Sequence, residues 1–226
     1  MSDIMILKAK VLGSSNLGIY LRVAGKYLLA PKGVSRSLEG MASKLNLKLI
    51  EASVYDSRML GVLTVANSRA LLLPSLSSEG ELRYLREKMD MEVHILPTMK
   101  LTALGNDIVA NDYGAIVHPS FTDHELDMIA KILGVKVMRG RVGGIPVVGS
   151  LVVANNRGCL ISPSADDSEL KGISDTLGVD CLKGTINDGV IYVRVGLVAC
   201  DSGALVGFPT TPMEIENLAE ALKIEP

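Results

Sequence analysis

The chain has no tryptophan and, among 226 residues, only two phenylalanines and six tyrosines. With aromatics this scarce and 48% hydrophobic residues, the core must be built from small aliphatics. There are three cysteines, Cys159, Cys181 and Cys200, at scattered spacing and without a CxxC pair. That argues against a disulfide framework or a zinc site. The three histidines are His94, His118 and His124, so a Cys/His nucleophile would have to combine Cys159 or Cys200 with His118. No apolar run approaches the roughly 18 residues of a membrane-spanning helix, and Arg194 interrupts the most apolar late stretch. A net charge of −2 gives no general attraction to nucleic acid, so any RNA contact must come from a local cluster. No phosphate loop or dinucleotide fingerprint is present. The opening Met1-Ser2-Asp3 is unlike a signal peptide, and a cytosolic protein is expected.

What the chain does have is a repeat. Leu101–Pro119 reads as a strand, a turn at Asn111-Asp112-Tyr113-Gly114 and a returning strand that ends at Pro119. Similar phrases run over Leu63–Pro74, Leu151–Pro163 and Leu197–Phe208, with a worn copy at Tyr20–Pro31. Anchored on Ala24, Ala66, Ala110, Ala154 and Ala199, the spacings are 42, 44, 44 and 45, a period typical of repeat architectures. Gly61, Gly105 and Gly149 stand five residues ahead of their anchors and predict a bend or a close backbone approach. Asn106 and Ser150, next to the last two, would be equivalent polar groups at the ring's edge.

Each phrase is followed by an apolar stripe at helical spacing, such as Leu126/Ile129/Ala130/Leu133 or Ile215/Leu218/Ala219/Leu222. Capping boxes are expected at Ser78…Glu81, Thr122…Glu125, Asp166…Glu169 and Thr211…Glu214, and left-handed C-caps at Gly134 and Gly178. These caps also account for the carboxylates at Asp123/Glu125 and Asp166/Asp167/Glu169, which favour a helix N-terminus. Further strands follow over Leu47–Ser53, Met91–Leu96, Val135–Arg139 and Val179–Leu182. The fifth helix has no strand after it, whereas Ile4–Lys8 has no helix before it. The economical reading is closure: an α/β (α+β) ring of five strand-hairpin/helix/strand units in one domain over 1–226. The units are 9–53, 54–97, 98–140, 141–184 and 185–226, with strand 4–8 completing the fifth. Closure also removes exposed sheet edges. A small β-propeller fits less well, because it needs four strands per blade.

The phrases Ala103-Leu104-Gly105-Asn106, Asn111-Asp112-Tyr113, Val117-His118-Pro119, Val148-Gly149-Ser150 and Gly184-Thr185-Ile186-Asn187 resemble the archaeal and eukaryotic translation initiation factor 6 family. The resemblance covers nearly the whole chain. It implies the pentein fold, a closed ring with pseudo-fivefold symmetry. It also implies a non-enzymatic factor that binds the large ribosomal subunit beside the sarcin–ricin loop of the large rRNA and against ribosomal protein L-fourteen. There the family blocks joining of the small subunit and takes part in large-subunit maturation. A monomer without cofactor, metal or membrane association is implied. Asn106 matches the family's contact position, and the contact face extends to Asn67, Arg69, Asn111, Tyr113, Ser150 and Arg157. Two other readings compete. The pentein ring also carries guanidine-modifying enzymes, which need a Cys nucleophile with His and carboxylates at the axis. A scaffold for some non-ribosomal protein is the third.

Overall fold

The computed structural model describes residues 5–224. A first strand, β1 (Ile6–Ala9), precedes five copies of one motif. The first copy is α1 (Leu17–Tyr20), β2 (Arg22–Ala24), β3 (Tyr27–Pro31), α2 (Ser35–Lys44) and β4 (Lys48–Ala52). The second is α3 (Leu60–Leu63), β5 (Val65–Ala66), β6 (Ala70–Pro74), α4 (Glu79–Lys88) and β7 (Glu92–Leu96). The third is α5 (Leu104–Asp107), β8 (Ile108–Ala110), β9 (Gly114–Val117), α6 (Asp123–Leu133) and β10 (Lys136–Arg139). The fourth is α7 (Val148–Leu151), β11 (Val152–Ala154), β12 (Cys159–Ile161), α8 (Asp167–Leu177) and β13 (Cys181–Lys183). The fifth is α9 (Val193–Gly196), β14 (Leu197–Cys200), β15 (Gly203–Gly207) and α10 (Pro212–Leu222).

In every copy the hairpin strands pair antiparallel and the long helix returns the chain to add a third, parallel strand. The third strand of the last copy is β1, parallel to β15 from Ile6↔Ala204 to Ala9↔Gly207. The expected closure by the N-terminal strand therefore holds, while Ile4 lies outside the described residues. All four expected capping boxes are made. Gly134 and Gly178 adopt φ of 71° and 66°, the left-handed cap. The strand expected from Val179 starts later, at Cys181.

Two features escaped the sequence. The one-turn helices α1, α3, α5, α7 and α9 are too short for periodicity to reveal. They touch one another in succession around the axis, with α9 meeting α1. A Cβ on Gly61 would run into Gly18 O, and one on Gly105 into Gly61 O, so the close approach read from the glycines occurs here. In the first copy the repeat anchor moves by one residue. Ala24 pairs with Tyr27 as Cys200 pairs with Gly203, so Val23, not Ala24, is the counterpart of Ala199. Ala24 instead occupies the place held by Asn67, Asn111, Asn155 and Cys200 in the other units, each followed by a two-residue turn.

The core is not inside the units but between them. Leu28 and Ala30 of β3 pack with Val198 and Leu205 of the fifth copy. Tyr27 and Leu29 of the same strand pack with Leu60, Leu71 and Leu82 of the second. Alternate residues of a strand point to opposite faces, so a middle strand packed on both sides must be apolar at every position. This explains runs such as Ala70-Leu71-Leu72-Leu73, all fully buried.

Candidate functional site

The ring has two unlike ends. Each inner strand β2, β5, β8, β11 and β14 runs from a one-turn helix at one end to a hairpin turn at the other. Asn106 therefore lies a strand's length from Asn111, and the single contact face expected from the sequence divides in two. Asn106 and Ser150 stand at equivalent places in α5 and α7, on the inner circle rather than the outer edge. Ser150 is buried at 8% exposure. Asn106 is half-buried, and its side-chain amide has no hydrogen-bond partner among the described residues.

The end that carries Asn106 is built on tight turns leading into the one-turn helices. Leu12-Gly13, Tyr55-Asp56, Gly143-Gly144 and Asn187-Asp188 all have positive φ at both residues, and each turn is closed by a short bridge. Asn-Gly or Gly-Gly is the comfortable choice for such a turn; Leu12 and Tyr55 are not. The capping-box glutamates hold three of these turns. Glu81 accepts from Tyr55 N and Asp56 N, each at 3.0 Å. Glu169 accepts from Gly143 N at 2.7 Å, and Glu214 from Asp188 N and Gly189 N at 3.0 and 2.9 Å. Burial works against the Glu214 charge, but these bonds and those from Thr211 and Thr185 outweigh it and hold the pKa at about 2.

Eleven large hydrophobic side chains are exposed among the described residues, and nine belong to this end. Leu12, Tyr55, Met59, Met99, Ile191 and Tyr192 lie in the loops before the one-turn helices. Leu76, Phe208 and Met213 follow strands that end there or begin a long helix there. Exposed Lys10, Arg58, Lys100 and Arg141 stand among them. The sequence reading missed these apolar tips, because one exposed Leu or Tyr per loop forms no local pattern.

At the opposite end the expected candidates have structural tasks. Asn67 and Asn111 are buried, at 7% and 4% exposure. Asn111 Oδ1 accepts from Tyr113 N and Gly114 N and so shapes its own turn. Its Nδ2 donates to Asn155 O at 3.1 Å and to Leu177 O at 2.9 Å, tying the next unit's turn and helix C-terminus. Asn67 and Asn155 repeat the pattern. The Asn67 and Asn111 side chains are thus both spent on bonds within the ring. Cys200 stands at the same place in the fifth unit, where Ser202 Oγ donates to Leu45 O instead. Arg69, Tyr113 and Arg157 share the third turn position. Arg69 and Tyr113 lie against the glycine C-caps Gly134 and Gly178, and Arg69 also faces Glu92 at 3.6 Å. Arg157 Nη1 donates to Asp201 O at 3.4 Å.

Between the two ends lies an axial cavity of about 590 Å³, open between the hairpin turns and floored near Gly149, Arg22 and Arg194. Cys200 lines it, but none of its lining residues is a histidine. Cys159 and Cys181 are buried strand partners, and burial pushes the Cys159 thiol up, away from the thiolate that a nucleophile needs. His118 accepts from Ser120 N at a strand end. Among the described residues the Cys/His/carboxylate set of a guanidine-modifying enzyme is not assembled. Among the described residues no group of three or more His, Cys, Asp or Glu is placed to hold a metal, and no helix is long and apolar enough to cross a membrane.

Comparison with known proteins agrees with this geometry. The model of the eIF-6 family matches residues 6–221. Translation initiation factor 6 of Saccharolobus solfataricus is 39% identical over 218 residues, covering 95% of this chain and 97% of the relative. That of Aeropyrum pernix is 44% identical over 220 residues, covering 95% and 94%. Among solved structures, the N-terminal domain of the cyanobacterial arginine dihydrolase ArgZ superposes with a TM-score of 0.55 at 10% identity, over 83% of this chain and 76% of that one. That likeness is one of fold and shows the pentein ring.

Proposed function

The chain belongs to the eIF-6 family, a family of non-enzymatic translation initiation factors, and from this premise we propose that it binds the large ribosomal subunit and keeps the small one off by occupying space. The observation that carries the proposal is the Asn106 end of the ring. Among the described residues it gathers nine of the eleven exposed large hydrophobics, a half-buried amide without a partner and scattered basic residues on a rigid frame. An apolar patch of this kind marks a docking surface. The mixture of tyrosine, methionine and arginine is that of a protein–protein interface core. Against the large subunit, that face would meet ribosomal protein L-fourteen and the backbone near the sarcin–ricin loop. Its arginines and lysines would give a local, moderately salt-dependent contact with RNA. The same occupancy would serve during large-subunit maturation. In this reading Asn106 would lie within the contact, with Ser150 at the equivalent place of the next unit. Arg69, Asn67, Asn111, Tyr113 and Arg157 hold the far end of the ring together.

Light scattering of mixed subunits tests this. The wild-type protein should suppress association at near-stoichiometric amounts and without nucleotide. Asn106→Ala should require several-fold more, because a buried partner group left unpaired costs roughly 1–3 kcal/mol. Association untouched by the wild-type protein, or suppression that needs GTP or ATP, would overturn the proposal.

A further inference from the structure

The floor of the axial cavity holds two guanidinium groups that the function above does not use. In four units the second residue of the one-turn helix is Gly18, Gly61, Gly105 or Gly149, but the fifth unit places Arg194 there. Its Nε and Nη2 are closed off from bulk solvent and have no hydrogen-bond partner. Arg22 lies beside it at 5% exposure. Arg22 Nη2 donates to Gly61 O at 2.6 Å, while its Nε has no partner. Both residues line the cavity. Among the described residues no carboxylate pairs with either. The acids at the mouth are engaged elsewhere: Asp90 with Lys26 at 3.2 Å, Asp112 with Asn156 Nδ2 at 2.7 Å, and Asp201 with the same amide at 3.1 Å.

A guanidinium does not shed its proton in a protein, so this charge cannot be relieved by neutralisation. Two such charges close together and out of solvent repel each other, and each is costly to bury without a counter-ion. Burial, and for Arg22 also the neighbouring Arg194, lowers both pKa values, that of Arg194 to about 10. The three unpartnered N–H groups belong to two residues, from two chain segments, that line one end of the open cavity, and they lie just beneath its surface. Planar guanidinium forks of this kind match the oxygens of a tetrahedral oxyanion.

We propose that the axial cavity is a binding site for a small oxyanion of the phosphate or sulfate type, seated between Arg22 and Arg194 and entering from the hairpin end. The carboxylates of Asp90, Asp112 and Asp201 at the mouth oppose every anion that enters, and most of all a nucleic-acid backbone with its row of charges, so the attraction must come from the two guanidinium groups at the floor. The two arginines lie against the inner side of the one-turn helices of the Asn106 end, while the cavity opens at the opposite, hairpin end, so the ligand would act on the docking surface only through the helices that carry it.

The test uses the full chain. Inorganic phosphate is followed by phosphorus NMR, and thermal melting is recorded in phosphate, sulfate and chloride at equal ionic strength. The wild-type protein should broaden the phosphate resonance saturably, and both oxyanions should raise Tm where chloride does not. Arg194→Gly installs the residue found at this place in the other four units and should abolish both effects. If that variant does not fold, Arg194→Met gives the uncharged comparison. No saturable broadening with the wild-type protein, or equal broadening with the uncharged variant, would overturn the proposal and leave water as the partner of the two arginines.

Discussion

At the scale of single residues, side chains near the site trade stability for position. Asp107 follows Asn106 at a place where the neighbouring units have Leu63 and Leu151, and it is 5% exposed. Burial pushes its carboxyl pKa up to about 6 from an ordinary value of 3.8. Above pH 6 the carboxyl is ionised whether folded or unfolded, and the folded state bears the full cost of the buried charge. As the pH falls from 6 towards 4 the folded form takes up its proton first and the cost disappears. Asp107→Asn should therefore raise Tm at pH 7.5, with the advantage shrinking towards zero by about pH 4. An advantage that is the same at both pH values would show that the buried charge is not its source. Asn111 teaches the converse lesson. An asparagine in a turn reads from sequence as a polar tip, yet its four hydrogen bonds lie inward, two within its own turn and two across a unit boundary.

At the scale of elements, the four tight turns at the Asn106 end decide what the ring displays. Tyr55 holds φ of 55° and Asp56 φ of 51°, with Tyr55 56% exposed. Holding a bulky residue in the left-handed region costs on the order of 1 kcal/mol. The tyrosine makes no stabilising use of that cost, since its ring is in solvent. Strain kept where glycine would relieve it points to a task outside the fold. Tyr55→Gly should leave stability unchanged or raise it by up to about 1 kcal/mol in chemical denaturation, while weakening suppression of subunit joining several-fold. A variant that is less stable but equally active would mean that Tyr55 is structural. The long helices, the caps and most strand positions were legible in the sequence because each rests on local chemistry: Thr122 with Glu125, Gly134 at φ of 71°, or the apolar alternation around a turn.

At the scale of the whole molecule, stability comes from closure. Every hydrophobic cluster spans two consecutive units, so a unit lacking a neighbour on either side exposes half of its middle strand. Ala9 sits in the cluster shared by the fifth and first units, with Leu7 packed against it, and Ile6 packs on the cluster shared by the fourth and fifth. Deleting residues 1–9 removes a four-residue parallel ladder and uncovers both clusters. The loss should be about 3 kcal/mol or more, read as a lower midpoint in urea. A truncated chain that unfolds at the wild-type midpoint would disprove closure as the source of stability.

The sequence alone determined the repeat, the order of strand, turn and helix within it, the sealing role of the first strand and, through phrases such as Ala103–Asn106, the family. These are properties of neighbouring residues or of a fixed period, and the chain carries both in its letters. The tertiary structure decided which end of the ring each residue faces. It put Asn106 and Asn111 at opposite ends of one strand, gathered Leu12, Tyr55, Met99 and Tyr192 from four units onto one surface, and brought Arg22 beside Arg194 from the two sides of the closure. None of these relations has a sequence period, because each is made by bending five units into a circle.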